Sequence, residues 1–377
     1  MKRYALLCAA MALVQFAHAQ TVEPFSLPSA RMAAVGGPHA ASVSGVDAIF
    51  ENPAGFAAET AELSVSALVA NASGPVFDIA GMLVGGSDIM AALPALFDAG
   101  GRLYMQADIL GPLAFGYAGK GLGFGLFNRS VVTLNAASLL SVAYSVSEEI
   151  MLAGGYAYRF TLGERQVLDA GIMPKGFIRA TVGQRASITE ILAMVSDPTA
   201  VLGSPFSMTS GVGFDVGVRW SYDDVIALGL VCRDAYSPAM VTSYDNYTAF
   251  AESPSTGSSA YAVVPADLAF GVAYEAPFAI LNALGADLVV LVDYVDILDL
   301  FSTVPRNPIL NVRVGLELTL LDILSLRAGI KDALPTAGFG IDLSAFSFSL
   351  AMYGRELGIE PGARPVFNLL VAFDFRY

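Results

Sequence analysis

The stretch Asn368-Leu369-Leu370-Val371-Ala372-Phe373-Asp374-Phe375-Arg376-Tyr377 decides the fold. Successive side chains of a strand point to opposite faces. Leu369, Val371, Phe373, Phe375 and Tyr377 therefore share one greasy face. Asn368, Leu370, Ala372, Asp374 and Arg376 share a mostly polar one. A strand of this kind, with an aromatic last, fits the closing strand of a transmembrane β-barrel, apolar face to lipid and polar face to lumen. It also fits an edge strand of a soluble sandwich, so the rest of the chain must decide.

At the other end, Met1-Lys2-Arg3-Tyr4 precedes an apolar run from Ala5 to Ala17, then Ala17-His18-Ala19 before Gln20. Positive charge, a short apolar core and an A-x-A site make a secretory signal peptide. Residues 1–19 are expected to be removed by cleavage near Ala19/Gln20. Of 20 Lys and Arg residues, Lys2 and Arg3 leave with the leader, so 18 face 34 acids, a net charge of −16. That sign excludes nucleic acid as a partner. One cysteine, Cys232, remains, which excludes an internal disulfide.

The chain is 55% hydrophobic with a mean hydropathy of +0.60, and 14% of its residues are charged. A soluble domain carries about 25% charged residues. Yet no run of about 20 apolar residues follows the leader. Apolar content without a spanning helix leaves a closed barrel as the membrane solution, because lipid cannot satisfy open backbone groups.

From Glu62 onward the text alternates with period two. Leu113, Phe115 and Tyr117 oppose Ala114, Gly116 and Ala118. Leu140, Val142, Tyr144 and Val146 oppose serines and Ala143, and Val212–Trp220 and Leu310–Leu318 behave alike. Aromatics near strand ends, at Tyr156, Tyr158, Trp220, Tyr274, Tyr294 and Tyr353, suit interfacial girdles. Residues 61–377 suit roughly fourteen antiparallel strands of about 9–11 residues, an all-β transmembrane barrel.

Other segments break the rhythm. Ser87–Ala99 reads as helical, and Ser187–Val195 as a short helix with Ser187 and Glu190 as its capping box. Ala235–Pro265 reads as a long aperiodic external loop. The acid pairs Glu148-Glu149 and Asp223-Asp224 read as turns between strands.

Residues 20–60 are rich in Gly, Ala, Ser and Pro, with a helix-prone Val46–Phe50 and a sharp turn at Asn52-Pro53. They read as a surface linker or as a plug in the barrel mouth. The order Arg31-Met32-Ala33-Ala34-Val35-Gly36-Gly37, Asp47-Ala48, Glu51-Asn52-Pro53-Ala54-Gly55-Phe56 resembles the FadL family of outer-membrane long-chain fatty-acid transporters and their PorV-type relatives. The resemblance implies a bacterial outer-membrane barrel of about fourteen strands. Residues 20–60 would be a hatch in its lumen, gating through Gly36, Gly37, Asn52, Pro53, Ala54 and Gly55. It also implies a long-chain fatty acid or similar apolar ligand, entering from outside and leaving through a gap in the wall. The contact residues for that ligand are not implied. Outer-membrane lipid and the barrel-assembly machinery are the expected partners, the latter reading Phe373, Phe375 and Tyr377.

Enzyme chemistry is not expected. After the leader the only histidine is His39, read as a hydrogen-bonding or solvent-facing residue rather than a catalytic one. One His and one Cys make no zinc site, and no cofactor is expected. Gly119-Lys120-Gly121-Leu122-Gly123-Phe124-Gly125 lacks the Ser or Thr of a phosphate loop; its alternate glycines relieve crowding inside a curved sheet. A non-transporting PorV-like scaffold, a surface adhesin and a soluble secreted β-protein stay open as alternatives.

Overall fold

The computed structural model describes residues 20–26, 29–42, 45–85, 93–97, 101–138, 141–187, 190–191, 197–223, 225–278, 281, 283 and 285–376. The leader and Tyr377 lie outside them.

The strands run β1 (Gln20–Thr21), β2 (Glu62–Ser73), β3 (Leu103–Gly119), β4 (Leu122–Ser138), β5 (Ser141–Thr161) and β6 (Gln166–Ala186). They continue with β7 (Phe206–Tyr222), β8 (Ile226–Tyr236), β9 (Pro238–Tyr244), β10 (Ser258–Val263), β11 (Asp267–Glu275) and β12 (Ala286–Tyr294). The last are β13 (Val312–Leu320), β14 (Leu324–Lys331), β15 (Leu334–Asp342), β16 (Phe346–Glu356) and β17 (Pro365–Arg376). From β2 to β8 and from β11 to β17 each strand pairs antiparallel with the next in sequence, β8 pairs with β11, β9 pairs with β7 and β10, and β17 pairs back onto β2, Phe373 opposite Leu68 and Val371 opposite Ala70. β9 continues the line of β8, and β10 that of β11, so the wall is a closed antiparallel barrel of 14 strands. Closure removes every sheet edge, as lipid requires. No described helix is long and apolar enough to cross a membrane.

The surface is inverted relative to a soluble protein. Leu152 is 63% exposed and Phe375 54%, both on the outer face, while Asp293 is 2% exposed in the interior. Water would reverse that arrangement; lipid outside and polar pairs inside explain it. One end of the barrel has tight turns, such as those joining β3 to β4 and β13 to β14, and the other carries the long connections. We call the end with the long connections outer and the tight end inner.

The alternation in the sequence maps onto these faces with local exceptions. Tyr353 is no girdle residue: it faces inward and its hydroxyl donates to Asn71 Oδ1 at 3.2 Å. Val142 and Tyr144 are buried under loop residues Leu96 and Ile191 rather than exposed. Ala235–Pro265 is not aperiodic: β9 and β10 form a hairpin that pairs with the upper half of β7. Its β-branched and aromatic residues were the signal, masked by the Ser and Pro around them. Glu148-Glu149 is not a turn but lies within β5, opposite Ala180 and Arg179 of β6. Asp223 does sit in a turn, at φ +52°. Most of Ser87–Ala99 lies outside the described residues; Leu93–Leu96 is a 3-10 turn. Ser187 N donates to Glu190 Oε2 at 2.6 Å, as a capping box should.

Candidate functional site

The N-terminal segment packs inside the lumen. β1 pairs parallel with β10, Gln20 opposite Ala262. Helix α1 (Ala30–Ala34) is capped by Ser29 and ends in the Gly36-Gly37 turn, with φ of +93° and +120°. A Cβ on Gly36 would lie 2.7 Å from Ile330 O and 2.9 Å from Val314 O. Only glycine lets the turn approach β13 and β14 so closely.

The expected Val46–Phe50 helix is divided: Gly45–Asp47 is a 3-10 turn, and helix α2 (Ala48–Glu51) follows it and ends at Asn52. Asn52 Oδ1 accepts from Ala54 N at 3.0 Å, fixing the Pro53–Ala57 3-10 turn. Its Nδ2 donates to Ala40 O at 2.6 Å and to Val218 O of β7 at 3.3 Å. Ala54 and Gly55 are buried, and the Phe56 ring lies against Gly123 and Gly155 of the wall. Gly171 faces Pro53, Gly217 faces Asn52, and Gly229 faces Ala40. The lumen glycines thus make room for this segment. The residues singled out in sequence meet two separate parts of the wall: Gly36 and Gly37 at β13 and β14, Asn52–Gly55 at β5 to β7.

Among the polar links that tie the segment down, two join several partners. Arg31 reaches Glu51 at 3.4 Å, Glu317 at 3.0 Å and Ser42 Oγ at 2.9 Å, and Glu317 also takes Arg327 at 2.7 Å. Burial pushes the Glu51 carboxyl up to about 8 against the pull of Arg31. The second link is His39, fully buried, between Asp293 of β12 and Val35 O. Sequence reasoning allowed His39 a hydrogen bond but gave no partner.

Two cavities flank the segment. The outer one, about 350 Å³, has an apolar floor of Phe25, Met32, Phe50, Met151, Met173 and Leu370. Its wall is charged. Arg129 pairs with Asp108 at 2.5 Å, Lys175 with Asp215 at 2.8 Å, and Arg233 with Asp267 at 2.7 Å. Arg313, Lys331 and Arg355 have no carboxylate partner among the described residues. Arg313 donates to Pro38 O at 3.2 Å, Lys331 stands 5.3 Å from the Tyr353 ring centre, and Arg355 donates to Tyr104 Oη at 2.7 Å. The inner cavity, about 360 Å³, is lined by Asp47, Ala67, Leu110, Phe127, Arg327 and Arg376 among others. Ser29 lines both cavities, and its hydroxyl donates to Asp47 at 3.1 Å across the partition.

The wall beside the inner cavity is broken. β2 and β3 pair at Ser64–Gly116, and not again until Val69–Leu110. β3 and β4 pair at Leu110–Arg129 and resume at Ala114–Phe127. Gly111, Pro112 and Leu113 therefore stand against Asn128 alone. Proline has no N–H for the ladder. Ala67 and Leu110, at the edges of the break, both line the inner cavity. A Gly-Pro step inside an alternating strand was the readable signal for it.

No family model matches the chain, and no curated protein matches it. Its fold is similar to that of FadL-type barrels. A Pseudomonas aeruginosa FadL homologue is 13% identical, covers 94% of this chain and 99% of its own, and gives a TM-score of 0.46. The Pseudomonas putida toluene transporter TodX is 11% identical over 94% of this chain and 100% of its own, at a TM-score of 0.42. The Ralstonia pickettii toluene transporter TbuX is 11% identical over 96% and 99%, at 0.44.

Proposed function

We propose that the chain is an outer-membrane transporter for long-chain fatty acids or similar apolar molecules, gated by residues 20–60 acting as a hatch. The outer cavity carries the reading. Its floor suits an alkyl chain, and Arg313, Lys331 and Arg355 are cations in want of an anion. A half-buried charge with no counter-ion is costly, and a carboxylate head would offset it. A neutral hydrocarbon would bring only the tail.

This reading gives the cargo a path. Cargo enters from the long-loop end, rests above the hatch, passes the Ser29–Asp47 partition and leaves by the wall break into lipid. Gly36-Gly37 and Asn52-Pro53 are the points where the hatch turns, so they would absorb its displacement. Phe373, Phe375 and Tyr377 serve assembly by the barrel-assembly machinery.

Uptake of labelled oleic acid by a host lacking its own transporter tests this. The parent should restore uptake, and Lys331→Met with Arg355→Met should lower it about tenfold or more, the scale of one lost charge-assisted contact. If the parent restores none, while a secreted protein copurifies with it, the scaffold reading replaces this one.

A further inference from the structure

The acid pair of β5 splits across the wall. Glu149 faces the lumen, 2.6 Å from Arg179. Glu148 faces outward and is exposed. Val132, 43% exposed, and Ile150, 46% exposed, flank it on the apolar surface. A carboxylate on that face is destabilising, so its surroundings matter.

Ser130 Oγ donates to one Glu148 oxygen, and Asn128 Nδ2 donates to the other at 3.3 Å. Asn128 Oδ1 accepts from Leu113 N at 2.9 Å, an amide that the wall break deprives of a ladder partner. Ser66 Oγ donates to Pro112 O at 3.2 Å. Asn128 and Ser66 are explained by the backbone, since lipid offers it no partners. Glu148 is not, because among the described residues its carboxylate accepts from side chains and not from the backbone. A carboxylate has about four acceptor sites, and the described residues supply two donors.

We propose that Glu148 is a binding site, at the outer mouth of the wall break, for the head group of an amphiphile that donates a hydrogen bond, above all a protonated carboxylic acid. This rests on the transport reading above. Two carboxylates brought together do not both stay charged. The cargo carboxylate takes a proton from a hydronium ion of the solvent: its O–H bond forms as one hydronium O–H bond breaks, and a water molecule leaves. The neutral acid then donates that O–H to Glu148. The neutral form is also the one that hydrocarbon accepts at least cost. An alkane gains nothing there, having no donor.

The test compares the full-length parent with Glu148→Leu in a host lacking its own transporter, by initial uptake of lauric acid and of dodecane. Removing a charge from the lipid face does not oppose assembly, and a heat-shifted band on gels verifies it. Lauric acid uptake should fall about tenfold, the scale of one hydrogen bond to a charged group. Dodecane uptake should be unchanged. Equal lauric acid uptake in both proteins overturns the proposal, and so does an equal fall for both probes. A parent that moves neither probe overturns the transport reading and this proposal with it.

Discussion

His39 Nδ1 lies 2.6 Å from Asp293 Oδ1, and Ala40 N lies 2.7 Å from Asp293 Oδ2. The carboxylate of β12 thus grips the N-terminal segment with both oxygens. Both ring nitrogens of His39 face acceptors, since Nε2 stands 2.8 Å from Val35 O. A single wall residue thus holds both side chain and backbone of the segment.

Asp293→Ala should therefore free the segment without undoing the barrel. The truncation leaves the buried His39 ring and the Ala40 amide each without a hydrogen-bond partner, at about 1–3 kcal/mol apiece. Hydrogen exchange at residues 30–57 should accelerate, while exchange in the strands stays slow. Uniform acceleration throughout would show that the pair supports the whole barrel instead.

Gly36→Val should act at the other anchor. The residue has φ +93°, and a Cβ would meet two wall carbonyls. Positive φ at a β-branched residue costs on the order of 1–3 kcal/mol before any collision is counted. Ion conductance of the reconstituted protein should rise as the segment is displaced. Unchanged conductance would mean that the turn has room to spare.

Docking of the segment should also respond to pH through Glu51. Its carboxyl is raised from 4.5 to about 8 by burial. The docked state then binds more protons than the undocked one between those values. Docking is strongest below pH 4.5, weakens as pH rises, and levels off above about 8. Protease protection of residues 30–57 should fall across that window, and Glu51→Gln should flatten the response. A slope of opposite sign would place the ionised form in the docked state.

Deleting Phe375–Tyr377 should block membrane assembly. Phe375 pairs with Phe346 on one side and Ser66 on the other, at the seam that closes the barrel. Surface display of the shortened chain at the parent's level would contradict this.

What was legible in the sequence is what depends on period two. Phe373 and Phe375 point outward as their alternation requires, and Gly123 faces inward as a spacer, here for Phe56. What was not legible depends on neighbours remote in sequence. His39 and Asp293 are 254 residues apart, and neither carries a local pattern that names the other. Tyr353 looked like a girdle aromatic because its strand position is terminal; its partner Asn71 lies across the barrel seam. Glu148 looked like a turn residue because two adjacent acids seldom lie within a lipid-facing strand. The break at Gly111-Pro112 was written in the chain, yet the alternation on either side concealed it.

The central claim is that the cavity above the segment holds an anionic amphiphile by its head. Native mass spectrometry of the detergent-extracted protein after incubation with oleic acid tests it most directly. The parent should carry a single acyl adduct that survives detergent release, and Lys331→Met with Arg355→Met should lose it while retaining the heat-shifted barrel. An adduct equally stable in both proteins, or none in the parent, would contradict the claim.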